Sequence, residues 1–478
     1  MTRAPASFRD PSGRCFVFPE HVYRLLDKAG ADICCDFLQT NCAKYFLGKG
    51  QLIPSRRLTE PEVAQLRDEH QMQGLESRGA DVILEHERIP FTSFPYEWPP
   101  EMLWEAGRLT LDLARAALAD GFGLKDATPY NVLYRGPDAV FVDIPSFERR
   151  DKNDPVWTAY GQFVRTFLLP LLINQRRGLA LADIFTTHRD GLEPEEVYRW
   201  CGVLERFEPN IFSLVSMPTW LKGKAKAEGA RLYESRRMTN PEKARFILDS
   251  LLRRSERTLD SLKPRHGGGS NWSDYMATLS YTEPEFAEKE KFVDEALREI
   301  RPQRVLDVGA NTGHFSLRAA ESGAKLVAID VDATCIGRLW ERASQEKKDI
   351  LPLVVDWSRP TPALGWKNAE CASFLERSKG KFDCVLMLAV THHLLVTERI
   401  PLEEIFFLAS EVTTSWVVIE FVGPQDEMFR QLTRGREELH AGLNETKFEE
   451  ACAAHFDIVR SSPLAGKARR MYLLKRKG

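Results

Sequence analysis

Between Arg304 and Phe421, short apolar runs and helical stretches take turns with little between them, and that alternation leaves few folds open. Arg304–Val308, Lys325–Asp330, Ile350–Val355, Phe382–Leu388 and Trp416–Phe421 are rich in Val, Ile and Leu. Gly313–Ser322 and Thr334–Glu346 read as helices between the first three. Aliphatic runs each followed by a helix are expected where both faces of a parallel sheet are covered. The end of the chain differs. His455–Arg460 and Arg470–Lys475 are strand-like runs joined by Ser461-Ser462-Pro463-Leu464-Ala465-Gly466, which suits a closing hairpin. The expected fold is α/β, a doubly wound sheet with an antiparallel last strand.

Three acids stand at the carboxyl ends of successive strands in this pattern. Asp307 lies in Val305-Leu306-Asp307-Val308-Gly309-Ala310-Asn311-Thr312-Gly313, at the first strand-to-helix turn. Gly309 and Gly313 let backbone approach a ligand closely, and the helix that follows presents free N–H groups. Asp330 closes the second strand, where a carboxylate can accept both hydroxyls of a ribose. Asp356 closes the third, beside Trp357. The loop lacks the G-x-G-x-x-G of dinucleotide sites. Its spacing, D-x-G-x-x-x-G, resembles motif I of the Rossmann-like class I S-adenosylmethionine (SAM) dependent methyltransferases. The resemblance implies SAM as cofactor. Asp307, Gly309, Asn311 and Gly313 would wrap its amino acid and ribose, Asp330 would hold the ribose, and Asp356 and Trp357 would meet the adenine. Leu388 would face the methyl donor after the fourth strand.

Thr391-His392-His393-Leu394 follows Leu388 at the position that faces donor and acceptor in that family. His392 or His393 is the candidate general base, since an imidazole titrates near neutrality and can take a proton from a hydroxyl or amine. The alternative is that one caps a helix and the other packs. Glu420 ends the fifth strand, either in the acceptor pocket or as a strand-end ion-pair partner. Asn271–Tyr275 and Ser280-Tyr281, ahead of the sheet, read either as an aromatic lid or as ordinary packing. The wording Asn311–Ser316, His392–Leu394 and Ile419–Val422 resembles the NoeA-like nodulation methyltransferases, a bacterial subgroup, over most of the chain.

The N-terminal half carries a second constellation. Asp126 and Asn131 lie in Leu124-Lys125-Asp126-Ala127-Thr128-Pro129-Tyr130-Asn131, and Asp143 follows in Val142-Asp143-Ile144. This resembles the catalytic loop and metal-binding Asp of protein kinases and aminoglycoside-phosphotransferase-like enzymes. There the first Asp orients an acceptor hydroxyl, while the Asn and second Asp hold Mg²⁺. Two strands, Asn131–Tyr134 and Ala139–Val142, should flank a turn at Arg135–Asp138. The helix over Met102–Ala119 should present the loop with Leu103, Ala106, Thr110, Leu113 and Ala117 on one face. The kinase loop's His is absent before Asp126, no glycine-rich phosphate loop occurs near the N-terminus, and no phosphate-pairing Lys is identified. Mg-ATP is therefore a second implied ligand only if this site binds Mg²⁺, through Asn131 and Asp143. The plainer alternative has Asp126 and Asn131 capping a turn.

Domain limits follow from these patterns: a kinase-like domain with helical extension over 1–255, a Gly-rich linker over 256–270 around Gly267-Gly268-Gly269, and a methyltransferase domain over 271–478. With 66 Lys+Arg against 69 Asp+Glu, the chain gives no general nucleic-acid signal. Its longest greasy stretch, Phe167–Ile173, is too short to span a bilayer and contains Pro170. The first ten residues lack the apolar core of a signal peptide, and the nine cysteines never fall in C-x-x-C spacing. A reduced, cytoplasmic protein is expected, its acceptor a small molecule or glycan and its oligomeric state left open.

Overall fold

In the computed structural model, the residues described are 2–3, 13–18, 20–69, 82–228, 237–265, 283–464 and 468–478. The expected lid at Asn271–Tyr281 and the Gly267–Gly269 segment lie outside them. The chain forms two compact units. The first comprises Met1–Tyr96, Pro100–Arg265 and Leu364–Cys371; the second comprises Glu97–Pro99, His266–Ala363 and Ala372–Gly478.

The first unit opens with five antiparallel strands: β1 (Thr2–Arg3), β2 (Gly13–Val17), β3 (His21–Leu26), β4 (Ser55–Arg57) and β5 (Val82–Glu87), ordered β1-β2-β3-β5-β4. Helix α1 (Lys28–Leu38) follows β3 and starts where the Asp27 carboxylate accepts the Gly30 N–H at 2.7 Å. Helix α2 (Pro100–Ala119) buries Leu103, Ala106, Thr110, Leu113 and Ala117, the face that the periodicity marks. Thr110 is tolerated there because its hydroxyl donates to the Ala106 carbonyl at 2.8 Å.

Strands β6 (Phe122–Leu124), β7 (Val132–Arg135), β8 (Asp138–Phe141) and β9 (Phe147–Arg149) make two small ladders, β6 with β9 and β7 with β8. The turn between β7 and β8 needs a left-handed residue, and Gly136 supplies it at φ 55°. One expectation shifts. Residues 256–261, expected in a linker, instead complete helix α3 (Pro241–Ser261), because Leu252, Ser255 and Leu259 are buried at helical spacing beside the charged residues.

The second unit is a seven-stranded sheet. Its strands are β10 (Arg304–Val308), β11 (Lys325–Asp330), β12 (Ile350–Val354), β13 (Phe382–Met387), β14 (Thr413–Val422), β15 (Phe456–Pro463) and β16 (Arg469–Arg476). The order is β12-β11-β10-β13-β14-β16-β15, parallel as far as β14. β16 runs antiparallel between β14 and β15, so the last strand is inserted rather than added at the edge. Helices α4 (Glu283–Ile300), α5 (His314–Glu321) and α6 (Ala333–Glu346) accompany the first strands. One core joins Phe292, Val293, Ala296 and Leu297 of α4 to Val305, Leu326, Leu386 and Val418 of the sheet. Each such fully buried aliphatic contributes about 1.5–3 kcal/mol relative to exposure. Reversal of strand order at β10, between β11 and β13, opens a crevice at the carboxyl ends of the strands.

Candidate functional site

That crevice is a cavity of about 430 Å³, lined by Asp307, Gly309, Asn311, Asp330, Asp356, Trp357, Leu388 and His393, with Phe286, Lys289, His314 and Ala389 among its other walls. The volume lies in the range of small-molecule sites. Two glycines set its shape. Gly309 has φ 72°, and a Cβ there would stand 2.4 Å from a Val390 methyl carbon. Gly313 has φ 82° and leaves room for Leu339, whose Cδ1 would lie 2.1 Å from an added Cβ. Gly313 itself is not a wall residue; it caps α5 and lets the loop turn.

The three acids are held differently. Asp307 is buried and accepts a 2.6 Å hydrogen bond from the Ser316 hydroxyl. Burial raises its carboxyl to about 6, aided by Asp330 and opposed by Ser316 and Lys289. Asp330 accepts the backbone N–H of Asn311 at 2.8 Å and of Asp332 at 3.0 Å. Burial still leaves it above the ordinary carboxyl range. Asp356 sits nearer solvent. Burial works to raise it, but the Ser358 hydroxyl at 2.6 Å, the Ser358 N–H at 2.8 Å and Arg359 outweigh that and hold it low. Asn311 adopts φ 50° so that its N–H reaches Asp330, a backbone conformation Asn tolerates better than most residues.

The two histidines separate. His393 lines the cavity, and burial, reinforced by Arg469, lowers its pKa. His392 does not line it. It is 1% exposed, and neither ring nitrogen has a hydrogen-bond partner among the described residues. Burial, with His393 and Arg469 beside it, pushes its pKa well below the usual imidazole value. The left-handed Ala389, at φ 57°, turns the chain between Leu388 and this pair.

Glu420 resolves into the second of its two sequence readings. It lies buried between Lys289 Nζ at 2.7 Å and Arg469 Nη1 at 3.2 Å, and Arg469 also binds Asp426 at 2.7 and 3.1 Å. Two cations and two anions share this buried chain, so each charge keeps a partner. Lys289 is the one member that reaches the cavity wall. Sequence reasoning missed it, though a lysine in the apolar series Phe286, Phe292, Val293, Ala296 and Leu297 of α4 was a usable signal.

The fit to SAM rests on this chemistry. Backbone carrying no Cβ at Gly309, a carboxylate at the wall braced by backbone N–H groups, and a partly apolar wall suit a nucleoside joined to an amino acid.

In the first unit, Asp126, Asn131 and Asp143 converge. Asn131 Nδ2 donates to the Asp126 carbonyl at 3.3 Å and to Ser146 Oγ at 3.0 Å. The Ser146 hydroxyl donates to Asp143, and the Arg24 guanidinium lies 2.6 Å from the other Asp143 oxygen. Burial raises Asp126, whereas Arg24 and Ser146 overcome burial and lower Asp143. This donor set does not fit Mg²⁺, because a fixed cation already lies against its strongest carboxylate ligand. Among the described residues, no group of three or more His, Cys, Asp or Glu side chains could hold a metal ion.

Residues 281–443 match the family model of a methyltransferase domain. The chain is 29% identical to the nodulation protein NoeA of Rhizobium meliloti (strain 1021), over 99% of this chain and 96% of that one. Among solved structures it is similar to the N-methyltransferase NodS of Bradyrhizobium japonicum WM9, with TM-score 0.31 and 15% identity over 41% of this chain and 98% of that chain. It is also similar to the SAM-bound magnesium protoporphyrin IX methyltransferase of Synechocystis PCC 6803, with TM-score 0.29 and 16% identity over 44% and 86% of the two chains.

Proposed function

We propose that this SAM-dependent methyltransferase methylates a hydroxyl of a carbohydrate, a lipid-linked glycan or a small metabolite, and that its N-terminal unit positions that acceptor. When bound, SAM supplies an already activated methyl group, so alignment carries much of the rate. Asp307, Gly309, Asn311 and the turn at Gly313 would hold its amino acid and ribose. Asp330 would accept the ribose hydroxyls, and Asp356 and Trp357 would border the adenine.

One observation carries the hydroxyl reading: His393, kept neutral by burial, shares the cavity with the three acids. A neutral imidazole can take a proton from an approaching hydroxyl, which is a poor nucleophile until relieved of it. Lys289 lines the same cavity and is held by its ion pair with the buried Glu420. Likeness to NoeA along nearly the whole chain supports a joint task for the two units, since the methyltransferase match alone covers only residues 281–443. A kinase-like fold for the first unit is supported by the loop holding Asp126 and Asn131, the β7–β8 hairpin and Asp143 after it. The proposed division is therefore a kinase-like domain ahead of a methyltransferase domain.

The test uses the full chain, methyl-labelled SAM and a fractionated extract from cells lacking the gene. Label should enter a glycan or small-metabolite fraction and survive acid and base as an ether does. Label confined to protein or nucleic acid would overturn the acceptor class.

A further inference from the structure

The side chains of the first unit that suit a divalent cation are already occupied by one of the protein's own. Asp143 follows β8, where its carboxylate meets strand β3, and Arg24 of that strand binds Asp143 Oδ1 at 2.6 Å. Both side chains are largely withdrawn from solvent, 17% and 21% exposed. The second carboxylate oxygen accepts the Ser146 hydroxyl, and Ser146 Oγ in turn accepts from Asn131 Nδ2. Asn131 is held again through the Asp126 carbonyl. The cluster is a closed series of donors and acceptors that begins at a guanidinium.

Helix α1 explains why Arg24 turns to Asp143. The face that α1 buries is Ala31, Cys34 and Phe37, which offers no carboxylate. Its acids point elsewhere: Asp36 pairs with Arg149, and Asp32 lies 3.9 Å from Arg57, both on exposed side chains. A cation on β3 therefore has its short ion pair with the residue that would otherwise hold the metal. A divalent ion at Asp143 would stand within a few ångströms of a positive charge largely withdrawn from solvent, where repulsion is weakly screened.

We propose that Arg24 is a built-in substitute for the divalent cation, and that the Asp126–Asn131–Asp143 site works metal-free, joining β3 to the loop after β8. The proposal rests on the first unit alone and holds whether or not the methyl acceptor is a hydroxyl. A charged guanidinium that delivers hydrogen bonds in a fixed plane can hold the carboxylate as the metal would, without the metal's bridging of the β- and γ-phosphate oxygens.

The experiment is a Mn²⁺ titration of the full chain followed by electron paramagnetic resonance, with and without ATP. The wild type should leave the free-ion signal unchanged into the millimolar range. Arg24→Met should gain Mn²⁺ affinity by about tenfold or more, and Arg24→Met combined with Asp143→Asn should lose the gain. Mn²⁺ binding by the wild type that Asp143→Asn removes would overturn the proposal. So would a folded Arg24→Met protein that gains nothing. Should Arg24→Met not fold, thermal melting decides instead: MnCl₂ with ATP should leave the wild type and Asp143→Asn unshifted, and a rise in the wild type alone would refute the substitution.

Discussion

Two clusters of Asp and Asn sit in this chain, and they differ in what faces their oxygens. In the second unit, Asp307, Asp330 and Asp356 line a cavity, Asp330 braced by backbone N–H groups, Asp307 by the Ser316 hydroxyl, and Asp356 by Ser358 with the exposed Arg359. In the first, Asp143 faces Arg24, and Asn131 spends its amide on Ser146 and on the Asp126 carbonyl. A carboxylate steadied by neutral donors still attracts a ligand. One neutralised by a buried guanidinium has had its charge answered within the fold. Residue type is nearly the same in both places, so the partner decides whether an acid is a binding group or a structural one.

The largest effect that would sharpen this contrast is at His393. His393→Gln should lower turnover about 10²–10⁴-fold with SAM affinity nearly intact. Because burial lowers the His393 pKa, the ascending limb of the wild-type rate profile should lie below the ordinary imidazole value, with a plateau at neutral pH. His392→Gln should keep that limb, since His392 does not face the cavity. Equal losses in both variants would break the distinction drawn between them.

Next comes Asp330. Asp330→Ala should weaken SAM binding by roughly 2–4 kcal/mol, measured by calorimetry on the folded full chain, whereas Asp143→Asn should leave that affinity alone. Unchanged binding in Asp330→Ala would remove the cofactor assignment. A drop in Asp143→Asn would join two sites held here to be independent.

Gly313→Ala is a smaller perturbation. Its methyl must displace the buried Leu339 and sit at φ 82°, so a destabilisation of about 1–3 kcal/mol is expected. Urea denaturation reads it; a change of a few tenths would mean the loop relaxes freely.

The last effect concerns acid, and it compares the units directly. Each buries a neutral imidazole: His86, lowered to about 3 by burial and then by Arg24, and His392, lowered well below its usual value by burial and its neighbours. Both bind a proton more weakly folded than unfolded. The stability each contributes is present above the unfolded pKa near 6.5 and is lost as pH falls through and below it, by up to about 1.4 kcal/mol per pH unit per histidine. Melting curves from pH 7.5 downward should therefore be shallower in pH dependence for His86→Gln and His392→Gln than for the wild type. Parallel curves would show that neither imidazole carries the acid sensitivity.

Much of the second unit was legible in the chain. Strand runs from Arg304 to Phe421 fall where the aliphatic residues are continuous, and Asp307, Asp330, Asp356 and Leu388 reach one cavity because strand ends in a parallel sheet must gather at one edge. The hairpin was visible too, but not its place: β16 enters between β14 and β15 because its Met471, Leu473 and Leu474 are apolar enough to be covered on both sides. The five-stranded sheet of the first unit escaped notice, since β2 and β3 mix Arg, His and Tyr among their apolar residues and carry no clean alternation.

What the sequence determined by itself was local and periodic: which segments are helix or strand, which glycines permit a tight turn, and which acids stand at strand ends. Tertiary structure alone decided charge partnership. Lys289 and Glu420 are 131 residues apart, yet they form a buried ion pair whose lysine lines the cavity. Arg24 meets Asp143, Arg469 meets both Glu420 and Asp426, and only one of two adjacent histidines faces the ligand space. Secondary structure is governed by neighbours along the chain, so a pattern of residues encodes it. An ion pair or a catalytic orientation is governed by distance in space and by the surrounding dielectric, and these exist only once the chain has closed around them.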